Sequence, residues 1–169
     1  MPLLKSFALT LAAILLAQFS FAQQQTILNI LNKELAQEVK RQFEGDRFND
    51  DTLVIAQPYR IQGNVLSMEL KKWDNYDSVY YIYRQEVALD KITAVVKDIN
   101  VIFETAADAV KITNTTLHTA PGVPAVKKNS SDLFFLGLSY EKNNEALAEK
   151  LIAAFKKAGY TIEKRFWAD

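Results

Sequence analysis

One stretch constrains the fold more than any other: Val79-Tyr-Tyr-Ile-Tyr-Arg-Gln-Glu-Val-Ala-Leu-Asp-Lys-Ile-Thr-Ala-Val-Val-Lys97. Its β-branched and aromatic content reads as a long strand, a corner at Leu89-Asp90-Lys91, and a second strand. Val79, Tyr81, Tyr83 and Val87 alternate onto one face. Tyr76, Tyr80 and Ile82 take the other, which ends in Arg84 and Glu86. A strand that is apolar or aromatic on both faces needs something on each side of it.

The flanking segments supply candidates. Thr52 to Ala56 is β-rich and stops near Pro58, which suits a strand end or an edge. Gln62-Gly63-Asn64 is a hairpin turn signal, and Val65 to Trp73 then alternates. Leu66, Met68 and Leu70 fall on one side, with Ser67, Glu69 and Lys71 on the other. Asp74-Asn75 turns the chain into the long strand. Beyond Lys97, Val101 to Thr105 and Val110 to Asn114 read as strands, and 117–131, with Pro121, Gly122 and Pro124, reads as a loop. Leu133 to Tyr140 reads as a continuous apolar strand buried on both faces, and Tyr160 to Trp167 as a final extended piece.

Two segments carry helical periodicity. Thr26 to Gly45 places Ile27, Leu31, Leu35, Val39 and Phe43 on one stripe, with Lys33, Glu34, Glu38 and Lys40 turned away. Asn143 to Ala158 places Leu147, Leu151, Phe155 and Ala158 together, and Gly159 stops it. The expected fold is α+β: a small seven-stranded antiparallel barrel or rolled sheet capped by the C-terminal helix. The N-terminal helix is expected over the outer sheet face, on Tyr80 and Ile82. A cystatin- or NTF2-like layered α+β arrangement is the alternative.

The N-terminus has the three parts of an export signal. Lys5 gives the positive region, Phe7 to Ala17 the apolar region, and Ser20-Phe21-Ala22 a small-x-small cleavage site. Its apolar run falls short of the ~20 residues that a membrane span needs. Residues 1–22 are therefore expected to be removed, with 23–169 forming one globular domain, periplasmic or secreted and not stably inserted in a membrane. The chain has no cysteine, which excludes disulfides and thiolate metal sites. Twenty basic residues balance twenty acidic ones, so no overall field draws the protein to nucleic acid.

The order of elements resembles the pleckstrin-homology-like superfold over residues 52–158. Glu86-Val-Ala-Leu-Asp-Lys-Ile92 is similar to the corner often found there between the third and fourth strands, and Leu133 to Ala158 to its last strand and capping helix. The resemblance implies a fold and carries no binding residues across. Lipid-binding members place several Lys and Arg around the first hairpin, where this chain has Arg60 before the turn and Lys71-Lys72 well after it.

Residue chemistry points away from catalysis. His118 is the one histidine, so a His-based triad or a multi-His zinc site cannot be built within the chain. Glu44 to Asp51 is acidic but lacks the calcium-loop register. Asn114-Thr-Thr and Asn129-Ser-Ser match glycosylation acceptors, which matter in a eukaryotic secretory pathway. No phosphate loop or metal motif appears, and no cofactor is expected. The expected function is a non-catalytic module binding a protein or peptide, with a homodimer as one possible assembly. The alternative is a carrier of a small apolar ligand between helix and sheet. Tyr76, Tyr80, Ile82, Phe135 and Phe155 are the candidate partner or ligand surface.

Overall fold

The computed structural model describes the protein over residues 2–42, 53–118, 122–139 and 143–168, with side chains of the first helix described from Ala22 onward. The fold is α+β, and the described residues form two α-helices and nine strands in two mostly antiparallel sheets. The sheets do not close into a barrel. The first contains β1 (Val54–Gln62), β2 (Val65–Asp74), β3 (Val79–Ala88), β6 (Val110–Thr116) and β7 (Val126–Ser131), in that spatial order. The second runs β8 (Leu133–Phe135), β5 (Val101–Thr105), β4 (Ile92–Lys97) and β9 (Glu163–Trp167).

Long strands fold over from one sheet into the other. β3 leads into β4 through a single 3-10 turn, Leu89–Lys91, and β5 leads back into β6. Glu86 pairs with Lys111 on one side of the corner and Ile92 with Thr105 on the other. Five residues separate the pairs on each strand, so the hairpin keeps its register through the bend. Bent strands of this kind make the corners of orthogonal sheet packings. Backbone bonds fix the corner: Leu89 N–H donates to Asn64 O at 2.8 Å and Ala106 N–H to Lys91 O at 2.9 Å. Leu89 itself is fully buried. A second bend lies between β7 and β8, where Asp132 O accepts from Thr105 N–H at 2.9 Å.

Both helices fill the inside of the bend. α2 (Ala146–Lys157) buries Leu147, Leu151 and Phe155, and the Phe155 ring meets Phe103 of β5 edge-on at 5.4 Å. α1 (Pro2–Arg41) packs against α2 and β1. Its Ile27, Leu31 and Leu35 are buried in the same core as Leu66, Met68 and Leu70 of β2. Stripe and strand residues of that size are each worth ~1.5–3 kcal/mol on burial, before entropy.

Several expectations need correction. The barrel is open, and the described residues form nine strands rather than seven. α1 lies on the inner face of the first sheet, not over Tyr80 and Ile82. The outer face carries Glu69, Arg84 and Glu86 in an ion-pair chain with Arg60, so covering it would strip solvent from four charges. Thr26 lies within α1 and does not cap it. The apolar strand breaks at Gly137, whose φ of +63° is a left-handed turn, leaving β8 only as far as Phe135. The expected loop contains β7, and the C-terminal piece is β9, parallel to β4. Phe43, the whole acidic 44–51 segment with Gly45, and Tyr140 lie outside the described residues.

Polar residues of α1 are also buried, including Glu34 and Glu38, which the helical pattern turns to solvent. Polar side chains on and just beyond the helix are tied to backbone groups of other elements. Asn32 gives Nδ2–H to Tyr59 O at 2.9 Å and takes Tyr59 N–H on Oδ1 at 2.8 Å. Gln42 does the same to Leu53, at 3.1 Å and 2.6 Å. Glu38 Oε1 accepts from Ser139 N–H at 2.5 Å and from its hydroxyl at 3.1 Å. Edge strand β1 has register shifts around Gln57 and Pro58, so it needs these partners where its ladder is irregular.

Replacing Asn32 by leucine leaves both backbone groups of Tyr59 unpaired. We expect a loss of about 1–3 kcal/mol for each in denaturant unfolding. Asn29→Ala, at an exposed site on the same helix, should move stability by less than about 0.5 kcal/mol. Equal effects would show that the Asn32 pairing does not hold β1 to the helix.

Candidate functional site

The inner face of the first sheet is longer than the elements that cover it. Along β2 the buried row Leu66, Met68, Leu70 continues into Lys72, and the register sets Leu70 beside Tyr83 and Lys72 beside Tyr81. Beyond the reach of α1 these side chains form the floor of a cleft of about 560 Å³. Phe135, Gly137 and Ser139 form its opposite wall, with Asn100 of the β4–β5 turn and Leu53 closing the ends. The lining mixes tyrosine, amide and ammonium groups with Leu70, Leu53 and Phe135, so it offers both apolar contact and hydrogen bonds.

Gln85 sets the spacing of floor and wall. Fully buried on β3, its Nε2–H donates to Phe135 O at 2.9 Å and its Oε1 accepts from Phe135 N–H at 3.0 Å. The amide replaces the neighbouring strand that β8 lacks on that side. Tyr59 OH adds a second tie, donating to Leu136 O at 2.7 Å; burial pushes this phenol well above its ordinary pKa. In the cleft, Lys72 Nζ sits 4.2 Å from the centre of the Tyr83 ring, a cation–π contact. Burial first, and the nearby Tyr81 second, push the Tyr83 hydroxyl up to about 12. At neutral pH it is therefore a neutral phenol that can both donate and accept.

The five sequence candidates fall in four places. Tyr80 and Ile82 share the outer face of the first sheet. There Tyr80 meets Trp73 edge-on at 4.7 Å, with Lys71 Nζ 4.1 Å from its ring centre. Tyr76 is 95% exposed on the tip of the same β2–β3 hairpin. Asp74 holds that tip by accepting from Tyr76 N–H at 2.9 Å and Asp77 N–H at 3.1 Å. Phe135 belongs to the cleft. Phe155 belongs to none of these surfaces: it is fully buried in the core, so it lines no open cavity.

Tyr81, Tyr83, Lys72 and Gln85 are the cleft residues that sequence reasoning did not single out. Alternation puts Tyr81 and Tyr83 on one face of the strand and does not say whether that face is covered. The available signal was Lys72, which interrupts the apolar row of β2 and marks where the covered part of the sheet ends. His118 is exposed, and among the described residues no three acidic or histidine side chains group to hold a metal. Comparison with protein-family models, curated proteins and solved structures finds no match.

The Tyr83 hydroxyl gives a pH test. Its folded pKa, about 12, lies above the ~10 of an exposed tyrosine, so the unfolded chain releases this proton first. The contribution is complete below pH ~10 and is lost as pH rises through the folded value of about 12. Tyr83→Phe should flatten that part of the stability–pH curve, as read by denaturant titrations at stepped pH. An unchanged slope would place Tyr83 in open solvent.

Proposed function

We propose that the protein is an exported, non-catalytic module that holds an extended protein or peptide segment in the cleft between its two sheets. The observation that carries this reading is the open, tyrosine-lined floor beside an interior already filled by its own side chains. Leu31, Leu35, Leu66 and Met68, between α1 and the first sheet, are at most 1% exposed. A carrier's ligand would thus have to use the cleft as well, where ammonium, amide and phenol groups suit a backbone better than an alkyl chain. Export follows from the N-terminal signal. Cleavage after Ala22 leaves Gln24, whose Nε2–H donates to Tyr160 OH at 3.4 Å, in the mature chain. Intact mass of the exported protein should begin at Gln23.

For fold kinship, we propose no more than the pleckstrin-homology-like resemblance. The strand–corner–strand at Glu86 to Ile92 supports it, and the open sheets and parallel β9 depart from it.

Selection of a random peptide library on the purified protein tests the function. Retained peptides should bind about tenfold or more weakly to Tyr83→Ala and to Phe135→Asp, while Tyr80→Ala on the outer face leaves binding in place. Peptides indifferent to both cleft substitutions would refute the site. Saturable binding of a fluorescent fatty acid, abolished by Phe135→Asp, would turn the reading to a carrier.

A further inference from the structure

The sheets end in edges, and the protein treats them differently. β1 is tied to the amides of Asn32 and Gln42, and β8 to that of Gln85. β9 is short and irregular in register against β4. β7 has none of these features. Its six residues pair with β6 in unbroken register, from Val110↔Ser131 to Thr115↔Val126, and five of them are exposed.

The direction of its free groups follows from one bond. Thr116 N–H donates to Ala125 O at 3.0 Å, so alternate residues Lys127, Asn129 and Ser131 turn N–H and C=O toward β6. Val126, Lys128 and Ser130 then turn theirs outward. Among the described residues no hydrogen bond reaches these three outward pairs. Such a row is a template for another strand.

Charge selects the occupant. Lys128 stands at the centre of the outward row on the outer face, Lys127 beside it on the inner face, and Lys111 opposite Ser130 on the next strand. Of the nearby acids, Asp108 accepts from the Ser130 hydroxyl at 2.7 Å, Glu86 opposite Lys111 is engaged by Arg84 at 2.7 Å, and Asp132 lies beyond the end of the strand, which leaves Lys127 and Lys128 as the charges along the edge. A second copy paired about a two-fold axis at Lys128 would set lysine against lysine, which is destabilising in directly opposed strand residues. We propose that β7 is the docking edge for an extended acidic segment of a partner protein, which adds a sixth strand to the first sheet. The lysines that disfavour self-pairing in that register are the ones that recognise the acidic strand. This interface is separate from the cleft, and it stands or falls without it.

The probe is a blocked eight-residue peptide alternating threonine and glutamate, added to the whole protein at low salt. Amide hydrogen exchange at Val126, Lys128 and Ser130 should slow by about tenfold or more, with Lys127 and Asn129 unchanged. A threonine–lysine peptide should have no effect. Lys128→Pro removes an outward N–H that β6 does not use, so it should keep the fold and lose the peptide. Lys128→Glu should reverse the preference toward the lysine peptide, and it decides the matter if the proline variant does not fold. Absence of slowing, equal response to both peptides, or a wild-type dimer protected at β7 would overturn the proposal. The cleft substitutions Tyr83→Ala and Phe135→Asp should leave this response intact, which separates it from the cleft.

Discussion

Side-chain amides standing in for missing strands hold this architecture together. A bent sheet has edges on which each residue facing outward presents one donor and one acceptor, and burying them unpaired is costly. Asparagine and glutamine carry one acceptor and a donor in the same plane, so a single side chain satisfies both groups at once. Asn32 does this at Tyr59, Gln42 at Leu53 and Gln85 at Phe135. The first two attach α1 to β1, and the third attaches the second sheet to the first. A carboxylate or ammonium could meet only half of each pair, and it would bring a charge into the interior.

From that constraint the placement of the functional surfaces follows. Gln85 holds β8 against β3 at one level of the first sheet; further along, the strands part and Tyr81, Tyr83 and Lys72 line the opening. The opposite face of the same hairpin carries Trp73 and Tyr80 beside the Arg60–Glu69–Arg84–Glu86 chain of charges. One hairpin thus presents a cleft inside and an aromatic–ionic surface outside. At its far side the first sheet ends in β7, where lysines rather than amides occupy the edge.

Much of the local structure was legible from residue periodicity. Two-residue alternation put Leu66, Met68 and Leu70 on one face of their strand and Tyr81 and Tyr83 on one face of theirs, and the β2–β3 register joins the two faces. The corner at Leu89 to Lys91 and the apolar stripe of α2 were readable for the same reason. Position in space was not. The stripe of Ile27, Leu31 and Leu35 says that α1 must be covered, but not by which face of which sheet. Glu38 looked solvated because its partner, the Ser139 N–H, lies about a hundred residues along the chain, invisible to any periodic pattern. β7 was missed because Lys-Lys-Asn-Ser-Ser has little strand propensity, and backbone pairing with β6 holds it in place. The cleft was missed because an inner-face tyrosine looks identical in sequence whether or not something covers it.

The central claim is that neutral side-chain amides replace strands at buried edges. Residue-resolved hydrogen exchange of the isolated protein measures it directly. The N–H groups of Leu53, Tyr59 and Phe135, whose acceptors are side-chain amides, should exchange far more slowly than the outward amides of Val126, Lys128 and Ser130 on β7, and approach those of the central strand β5. If those three exchange as fast as the outward amides of β7, the clamps are not closed in solution, and another interaction must hold the helix and the two sheets together.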